Sequence, residues 1–275
     1  MTAAIGILIL IPFIIFSHTW ALPVLTALMT SIAIFEILRC TGMLAKIPVA
    51  ICSFVAAVTP QILSRLLNTD DFFTVMLLVY LSYMVLLMTF AVFSKGSIKL
   101  INVTQNAVMT VYVSFGFSAL ILLRDFNAQY GLVLFLLAFV IPWVCDGAAY
   151  FVGVFFGKHK MIPDVSPKKT IEGAIGGIVG GVIVTAVFGI VMHFGFGKVP
   201  NYFLLLSLAF VGCLVSQWGD LIASLLKREY GVKDYGHLFP GHGGVMDRFD
   251  SLFTVNIFMY VICRSFADFP LFVAW

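Results

Sequence analysis

The residues best suited to chemistry form one dense stretch, residues 224–250. These 27 residues hold four Lys or Arg, four Asp or Glu, two His and five Gly, in a chain that is only 11% charged. Mg²⁺ prefers carboxylate oxygens, Lys binds phosphate as a point charge, and Arg binds it through paired hydrogen bonds. The stretch therefore predicts a site for a phosphate-bearing substrate that is held with the help of a divalent metal.

Helical spacing predicts that three aspartates in and beside this stretch converge. On the helix before the loop, polar residues follow one another at steps of four, four and three, which places them on one helical face. On the helix after the loop, polar residues separated by three and four positions also share a face. We expect Asp220, Asp247 and Asp250 to hold the metal. The alternative, an ion-paired loop without a ligand, does not explain the polar faces, which consist of Ser216, Asp220, Ser224 and Lys227, and of Asp247, Asp250 and Ser251.

The cations between these aspartates are candidates for neutralising phosphate charge. They are Lys227, Arg228, Lys233 and Arg248. The run Pro240-Gly241-His242-Gly243-Gly244 gives the backbone freedom to fold over a ligand, because glycine adopts conformations that other residues avoid. We expect this run to fold over the bound ligand.

Upstream, Asp146 lies inside an apolar segment, about 15 Å from its predicted cytoplasmic end at 1.5 Å per helical residue. An ionisable residue at that depth marks a site or a water-filled cavity, although pairing with a neighbouring helix is the alternative.

Lys168 and Lys169 follow, directly before Thr170, a predicted helix cap. Lysines beside exposed backbone N–H groups suit a polyphosphate, whereas the alternative interpretation is a basic loop that only sets membrane topology.

The elements that must position these residues are membrane helices. The chain is 61% hydrophobic, and its charged fraction is less than half of the roughly 25% found in soluble domains. A helix needs about 20 apolar residues to cross the bilayer core. We therefore predict an all-α polytopic integral membrane protein with about nine transmembrane helices, at 3–16, 20–38, 47–62, 72–93, 107–123, 132–156, 172–194, 203–226 and 251–266.

Lys and Arg are distributed unevenly between the two sides of this predicted topology. Twelve of the 16 lie in the second, fourth, sixth and eighth connections, which we expect to be cytoplasmic. The charged stretch then faces the cytoplasm from the C-terminal half. We divide the integrated membrane domain into an N-terminal scaffold, 1–130, and a catalytic region, 131–275. The scaffold offers little chemistry, and Glu36 and Arg39, three residues apart, are interpreted as a local pair.

The glycines of the seventh predicted helix repeat every four residues, as Gly173, Gly177 and Gly181 and as Gly176 and Gly180. Small residues at this spacing let two helix backbones approach closely. The pattern predicts a helix-packing surface.

The charged stretch also resembles the signature of the CDP-diacylglycerol synthases (phosphatidate cytidylyltransferases). Every position of that signature is filled, and the upstream segments DGAAYFVGVFFGKHK and SPKKTIEG look like other typical segments of the family. The motifs span roughly residues 140–255. The matching positions are Ser224, Lys227, Arg228, Lys233, Asp234, Gly236, Pro240, His242, Gly243, Gly244, Asp247, Arg248 and Asp250.

The resemblance implies transfer of a cytidylyl group from CTP to phosphatidic acid, with CDP-diacylglycerol and pyrophosphate as products. It implies Mg²⁺, with or without a second monovalent or divalent cation, on Asp220, Asp247 and Asp250. Asp146 would either join the metal or polarise a water, and His242 would order the loop by hydrogen bonding. Further expectations are a homodimer packed through the glycine-lined helix, a bacterial inner (plasma) membrane location and no nucleic-acid partner. Expected substrate-binding residues are Ser224, Arg228, Lys233, Asp234, His242, Gly243, Gly244, Lys168, Lys169 and Asp146, with Lys227 and Arg248 beside the catalytic aspartates.

Two alternatives remain from the sequence. One is a related CTP-dependent cytidylyltransferase that acts on a different lipid phosphate, since the residues that select the lipid chains are apolar and indistinct. The other is an ion-coupled transporter that uses Asp146 and Asp220 as carriers. Transporters commonly contain internal repeats, whereas the intramembrane charges here lie in one half of the chain.

Overall fold

The computed structural model describes residue 11 and residues 14–238, 243–266 and 271–274. Within this part the chain forms eight helices and four short strands. In chain order these are α1 (Ala21–Cys40), α2 (Ile47–Leu63), α3 (Thr69–Phe93), α4 (Leu100–Arg124), α5 (Gly131–Phe156), β1 (Lys160–Ile162), β2 (Ser166–Thr170), α6 (Ile171–Phe196), β3 (Lys198–Pro200), α7 (Tyr202–Glu229), α8 (Met246–Ser265) and β4 (Phe272–Ala274).

The helices have the length and composition of membrane spans. Among the described residues, six helices are long and apolar enough to cross a bilayer: α1 and α3 to α7. Helix α2 is apolar but has 17 residues, and α8 begins with charged residues. Large apolar side chains are exposed on several helices; on α6, Ile175, Val179 and Ile183 are 51–58% exposed. The mostly helical fold is thus confirmed and is compatible with a polytopic membrane protein, while the predicted count of nine spans stays a prediction.

The eight helices match the second to ninth predicted spans, and the first, 3–16, lies almost entirely outside the described residues. Two predicted starts were wrong. Helix α4 begins at Leu100 rather than 107, because polar residues in its first turns are satisfied inside the protein: Asn106 Nδ2 donates to Ser53 Oγ (2.8 Å) and to Tyr83 Oη (3.2 Å). Helix α8 begins at Met246 rather than 251, and it includes Asp247 and Asp250, as their helical spacing predicted.

The chain divides into two compact units. The first comprises the chain to Leu122 together with Glu229–Phe249, and the second comprises Leu123–Arg228 with the chain from Asp250 onward. In the first unit α2 packs against α1 and α3. Its buried core includes Ile34, Phe72, Phe117 and Phe249, with the last two rings 5.4 Å apart.

In the second unit α6 packs against α5 along its glycines. A Cβ at Gly177 would lie 2.8 Å from the carbonyl oxygen of Cys145, and one at Gly180 would lie 2.6 Å from the Ala148 Cβ. The predicted close approach of backbones is confirmed. Because α5 of the same chain covers these glycines, a homodimer packed through this helix, which stays a prediction, would use another of its faces.

The second unit also contains two antiparallel strand pairs, β1–β2 and β3–β4, that the all-helical prediction did not include. The β1 and β2 strands pair Lys160 with Thr170 and Ile162 with Ser166, with an irregular step between these pairs. Strands of three to five residues with little apolar alternation leave almost no sequence signal. The β1–β2 hairpin leads directly into α6.

Candidate active site

The polar face of α7 carries Asp220 at the centre of a small network. Ser224 Oγ donates to Asp220 Oδ1 (3.3 Å), as expected for residues four apart on one helical face. The ammonium of Lys169 lies 2.8 Å from Asp220 Oδ2. Both side chains of this ion pair are partly exposed, at 24% for Lys169 and 30% for Asp220, so the pair is accessible to water and to a ligand.

The β1–β2 hairpin explains how Lys169 comes to Asp220. Successive side chains of a strand point to opposite faces, and β2 directs Lys169 to α7, where it also donates to the Gln217 carbonyl (3.3 Å). Lys168 is exposed. The sequence interpretation treated the two lysines as one phosphate-binding pair, and the strand separates them.

The connection before α6 is fixed at its base by Thr170 and Glu172. The Thr170 hydroxyl accepts from Gly173 N–H (3.1 Å), so the predicted helix cap is confirmed. The Glu172 carboxylate accepts from the backbone N–H groups of Lys158 (3.1 Å) and His159 (3.2 Å) and contacts His159 Nδ1 at 2.6 Å. These contacts anchor both ends of the hairpin beside the N-terminus of α6.

Asp146 and Asp250 meet at one serine. Ser251 Oγ donates to Asp146 Oδ2 (2.8 Å), and the Ser251 N–H donates to Asp250 Oδ1 (2.8 Å). Asp250 is buried, and the charges of Asp220, Asp146 and Lys227 act on its carboxylate. The second unit therefore gathers three carboxylates, and the sequence-predicted Asp146 is one of them.

Gly219 allows this convergence, and the sequence interpretation did not single it out. A Cβ at Gly219 would lie 2.8 Å from the Asp250 carbonyl oxygen and 3.1 Å from Ser251 Cα, and it would overlap Thr254 Oγ1. The backbones of α7 and α8 therefore touch beside Asp220. A glycine immediately before a polar-face aspartate was the available signal.

In the first unit Asp247 closes the glycine-rich loop. Its Oδ2 accepts from the backbone N–H of Tyr235 (2.8 Å) and of Gly244 (3.0 Å). Gly243 has φ +80°, and a Cβ there would lie 2.8 Å from Asp247 Oδ2, so this position requires glycine. His242 and the rest of 239–242 lie outside the described residues.

The other predicted phosphate ligands lie near the surface. Arg228 is exposed, and its Nε donates to the Val165 carbonyl in the hairpin (3.2 Å). Lys233, Asp234 and Arg248 are exposed in the first unit. All of these side chains are accessible to a polyanion from water.

The first unit contributes two polar residues that the sequence interpretation assigned to a local pair. Glu36 accepts from the backbone N–H groups of Val245 and Met246, and Arg39 Nη2 donates to the Tyr235 carbonyl (2.8 Å). The charge of Arg39 acts on Glu36, in agreement with the local pair, but both side chains also hold the loop, a role that the sequence interpretation did not include. The long sequence separation left no signal for it.

The carboxylates of the second unit suit a hard divalent cation. Asp146, Asp220 and Asp250 repel one another, and Lys169 and Lys227 offset only part of that charge. Within the described residues, no three His, Cys, Asp or Glu side chains stand in a ready-made coordination group. Mg²⁺ needs only one or two protein carboxylates, because water and phosphate oxygens complete its shell. The donor set therefore fits Mg²⁺ shared with a phosphate substrate.

Comparison with known proteins identifies the family. A family model, described as the cytidylyltransferase family, matches residues 1–266. The chain is 33% identical over 256 residues to a phosphatidate cytidylyltransferase of Staphylococcus haemolyticus, covering 93% of this chain and 94% of the relative. It is 39% identical to the Bacillus subtilis protein of that name over 66% of each chain, and 37% identical to the Staphylococcus saprophyticus protein over 62% of each. With a match over nearly its whole length, the chain belongs to the cytidylyltransferase family.

Proposed function

We propose that the protein transfers a cytidylyl group from CTP to phosphatidic acid and releases pyrophosphate. The observation that carries the proposal is the cluster of Asp146, Asp220 and Asp250 with Lys169 among the helices of a chain that is 61% hydrophobic. Family membership and relatives named phosphatidate cytidylyltransferase support the same reaction. A lipid substrate and a water-soluble polyanion both suit a polar site built into membrane helices.

In this reaction a phosphate oxygen of phosphatidic acid attacks the α-phosphorus of CTP. The new P–O bond forms as the bond from the α-phosphorus to the bridging oxygen breaks, and the electron pair leaves with pyrophosphate. The attacking phosphate is already anionic at neutral pH, so it needs no strong general base. The protein therefore acts mainly by aligning two anions and stabilising the charge that moves to the leaving group.

Asp220 and Asp250 would hold Mg²⁺, and Asp247, one helical turn before Asp250, is the third predicted ligand. When bound, the metal would neutralise phosphate oxygens and stabilise the departing pyrophosphate. Asp146 is joined to Asp250 through Ser251, so it would fix the orientation of that carboxylate. A second cation at these carboxylates is consistent with their combined negative charge.

The cations have separate tasks in this proposal. Lys169 and Lys227 lie beside the carboxylates and would contact the reacting phosphates. Arg228 holds the β1–β2 hairpin through Val165, so part of its role is to shape the site. Lys168, Lys233 and Arg248 are exposed and would attract the triphosphate from water.

We further propose that the site faces the cytoplasm, where CTP is found, and opens laterally to lipid. Most Lys and Arg residues lie on the predicted cytoplasmic side. The protein would reside in a bacterial plasma membrane as a homodimer. Since α5 covers the glycines of α6, the dimer would use a different surface, and the exposed apolar face of α6 is one candidate.

Pyrophosphate release tests the proposal. Purified protein is given CTP and phosphatidic acid with Mg²⁺, and then with excess chelator. We expect release that requires both substrates and the metal. Release with another lipid phosphate but not with phosphatidic acid would support the sibling cytidylyltransferase instead. No release with any lipid phosphate would overturn the proposed reaction.

A further inference from the structure

Helix α1 buries a carboxylate among apolar side chains. Glu36 is 3% exposed, and its neighbours Ile34, Ile37 and Leu38 are fully buried. Burying an ionised carboxylate is costly unless hydrogen bonds compensate it. Glu36 uses both oxygens: Oε1 accepts from Val245 N–H (3.1 Å) and Oε2 accepts from Met246 N–H (2.9 Å).

Those two N–H groups belong to the start of α8, which begins at Met246. The first N–H groups of a helix have no partner within the helix, and a negative charge there is stabilising. Such caps usually come from the residue just before the helix, but Gly244 and Val245 have no side-chain acceptor. Glu36 supplies the cap from 209 and 210 residues away in the sequence.

The loop before α8 is shaped to admit this carboxylate. Gly236 and Gly244 pack directly on Glu36, and a Cβ at either position would overlap its carboxylate oxygens. One turn further along α1, Arg39 Nη2 donates to the Tyr235 carbonyl (2.8 Å). The Tyr235 N–H in turn donates to Asp247 Oδ2 (2.8 Å). A continuous chain of contacts therefore runs from α1 through the loop to Asp247.

We propose that Glu36 is a positioning residue for the transferase reaction, with Arg39 as its partner. Glu36 fixes the first turn of α8, and this sets the direction in which Asp247 presents its carboxylate. Arg39 holds the same loop at Tyr235. Neither side chain contacts the substrate, since both act through loop backbone. This inference rests on the proposed function for its effect on turnover, whereas the anchoring itself does not depend on it.

Glu36→Gln tests the anchor with little change in volume. The carboxamide oxygen accepts from one N–H, but its NH₂ group faces the other and cannot accept. Thr26→Ala is the matched control, because Thr26 is equally buried in α1 and, within the described part of the chain, its hydroxyl donates only to carbonyls of its own helix. The first readout is amide hydrogen exchange of 244–249 in substrate-free protein. We expect about tenfold faster exchange in Glu36→Gln and no change in Thr26→Ala.

The second readout is the Mg²⁺ concentration that gives half-maximal activity. Substitution of a residue that orients a metal ligand should raise this Mg²⁺ concentration about tenfold. Arg39→Ala should raise the same Mg²⁺ concentration by a smaller factor. Because Arg39 is exposed and tolerates substitution, this variant still allows the test if Glu36→Gln does not fold. Unchanged exchange at 244–249 would overturn the anchor. A loss of maximal rate with an unchanged Mg²⁺ requirement would show a merely structural role and overturn the positioning role. An inactive wild-type protein would refute the proposed function, while exchange would still decide the anchor.

Discussion

Replacing Gly219 with alanine should shift the carboxylates of the site relative to one another without changing any of these residues. The new Cβ would lie 2.8 Å from the Asp250 carbonyl oxygen and 3.1 Å from Ser251 Cα. These are backbone atoms, so they cannot rotate away as a flexible side chain does. Restoring ordinary contact near 3.5 Å requires the two helices to separate by about 0.7 Å.

That separation has two consequences of different size. Overpacking of this kind destabilises a protein by about 1–3 kcal/mol. A shift approaching 1 Å between groups that must act together costs up to about 100-fold in rate. We therefore expect Gly219→Ala to lower kcat by about 10- to 100-fold in protein that remains folded, as measured by initial rates of pyrophosphate release.

Gly195→Ala is the matched control for this change. Gly195 lies near the end of α6, and a Cβ there would meet nothing within 4 Å. Alanine favours a helix over glycine by about 1 kcal/mol, so this variant should be at least as stable as the wild type and fully active. A Gly219→Ala protein with wild-type kcat would refute the inference that close contact of α7 and α8 sets the site.

Three further changes test separate parts of the account. Lys169→Gln should raise KM for CTP about tenfold, whereas Lys168→Gln, on the opposite face of the strand, should change KM little. Equal effects of the two substitutions would show that the two lysines bind CTP as one pair. Asp247→Asn keeps an oxygen for the loop but loses the charge, so turnover should fall at least about 100-fold in folded protein, and near-normal rates would remove Asp247 from the site. Asn106→Leu should lower the free energy of unfolding by about 1–3 kcal/mol by stripping Ser53 and Tyr83 of a partner, with KM unchanged; a shifted KM would place that network in catalysis.

Hydropathy and helical periodicity were sufficient to predict the helices and one polar face. The helices follow from composition because a bilayer accepts long apolar segments that satisfy their own backbone hydrogen bonds. The contact between Ser224 and Asp220 follows from four-residue spacing. The start of α4 was not predictable by hydropathy, since Asn106 is polar yet satisfied by Ser53 and Tyr83 from other helices.

The contacts that shape the site could not be predicted, because they join distant parts of the chain. Glu36 lies in an apolar helix with no local sign that it caps α8. The strand that separates Lys168 from Lys169 is five residues long and contains a proline. Gly219 stands directly before Asp220, but the sequence does not show that the backbone of α8 lies against it. Sequence spacing predicts what shares a helical face, whereas tertiary packing decides which faces meet.

The proposed cytidylyl transfer can be tested directly by following a label from CTP into lipid. Purified protein is incubated with phosphatidic acid, Mg²⁺ and CTP that carries a radioactive phosphorus at either the α or the γ position, beside an Asp220→Asn variant. We expect the α label to move into the lipid extract and the γ label to stay in water as pyrophosphate, and we expect Asp220→Asn to move neither. An α label that remains in water, or wild-type transfer by Asp220→Asn, would contradict the proposal.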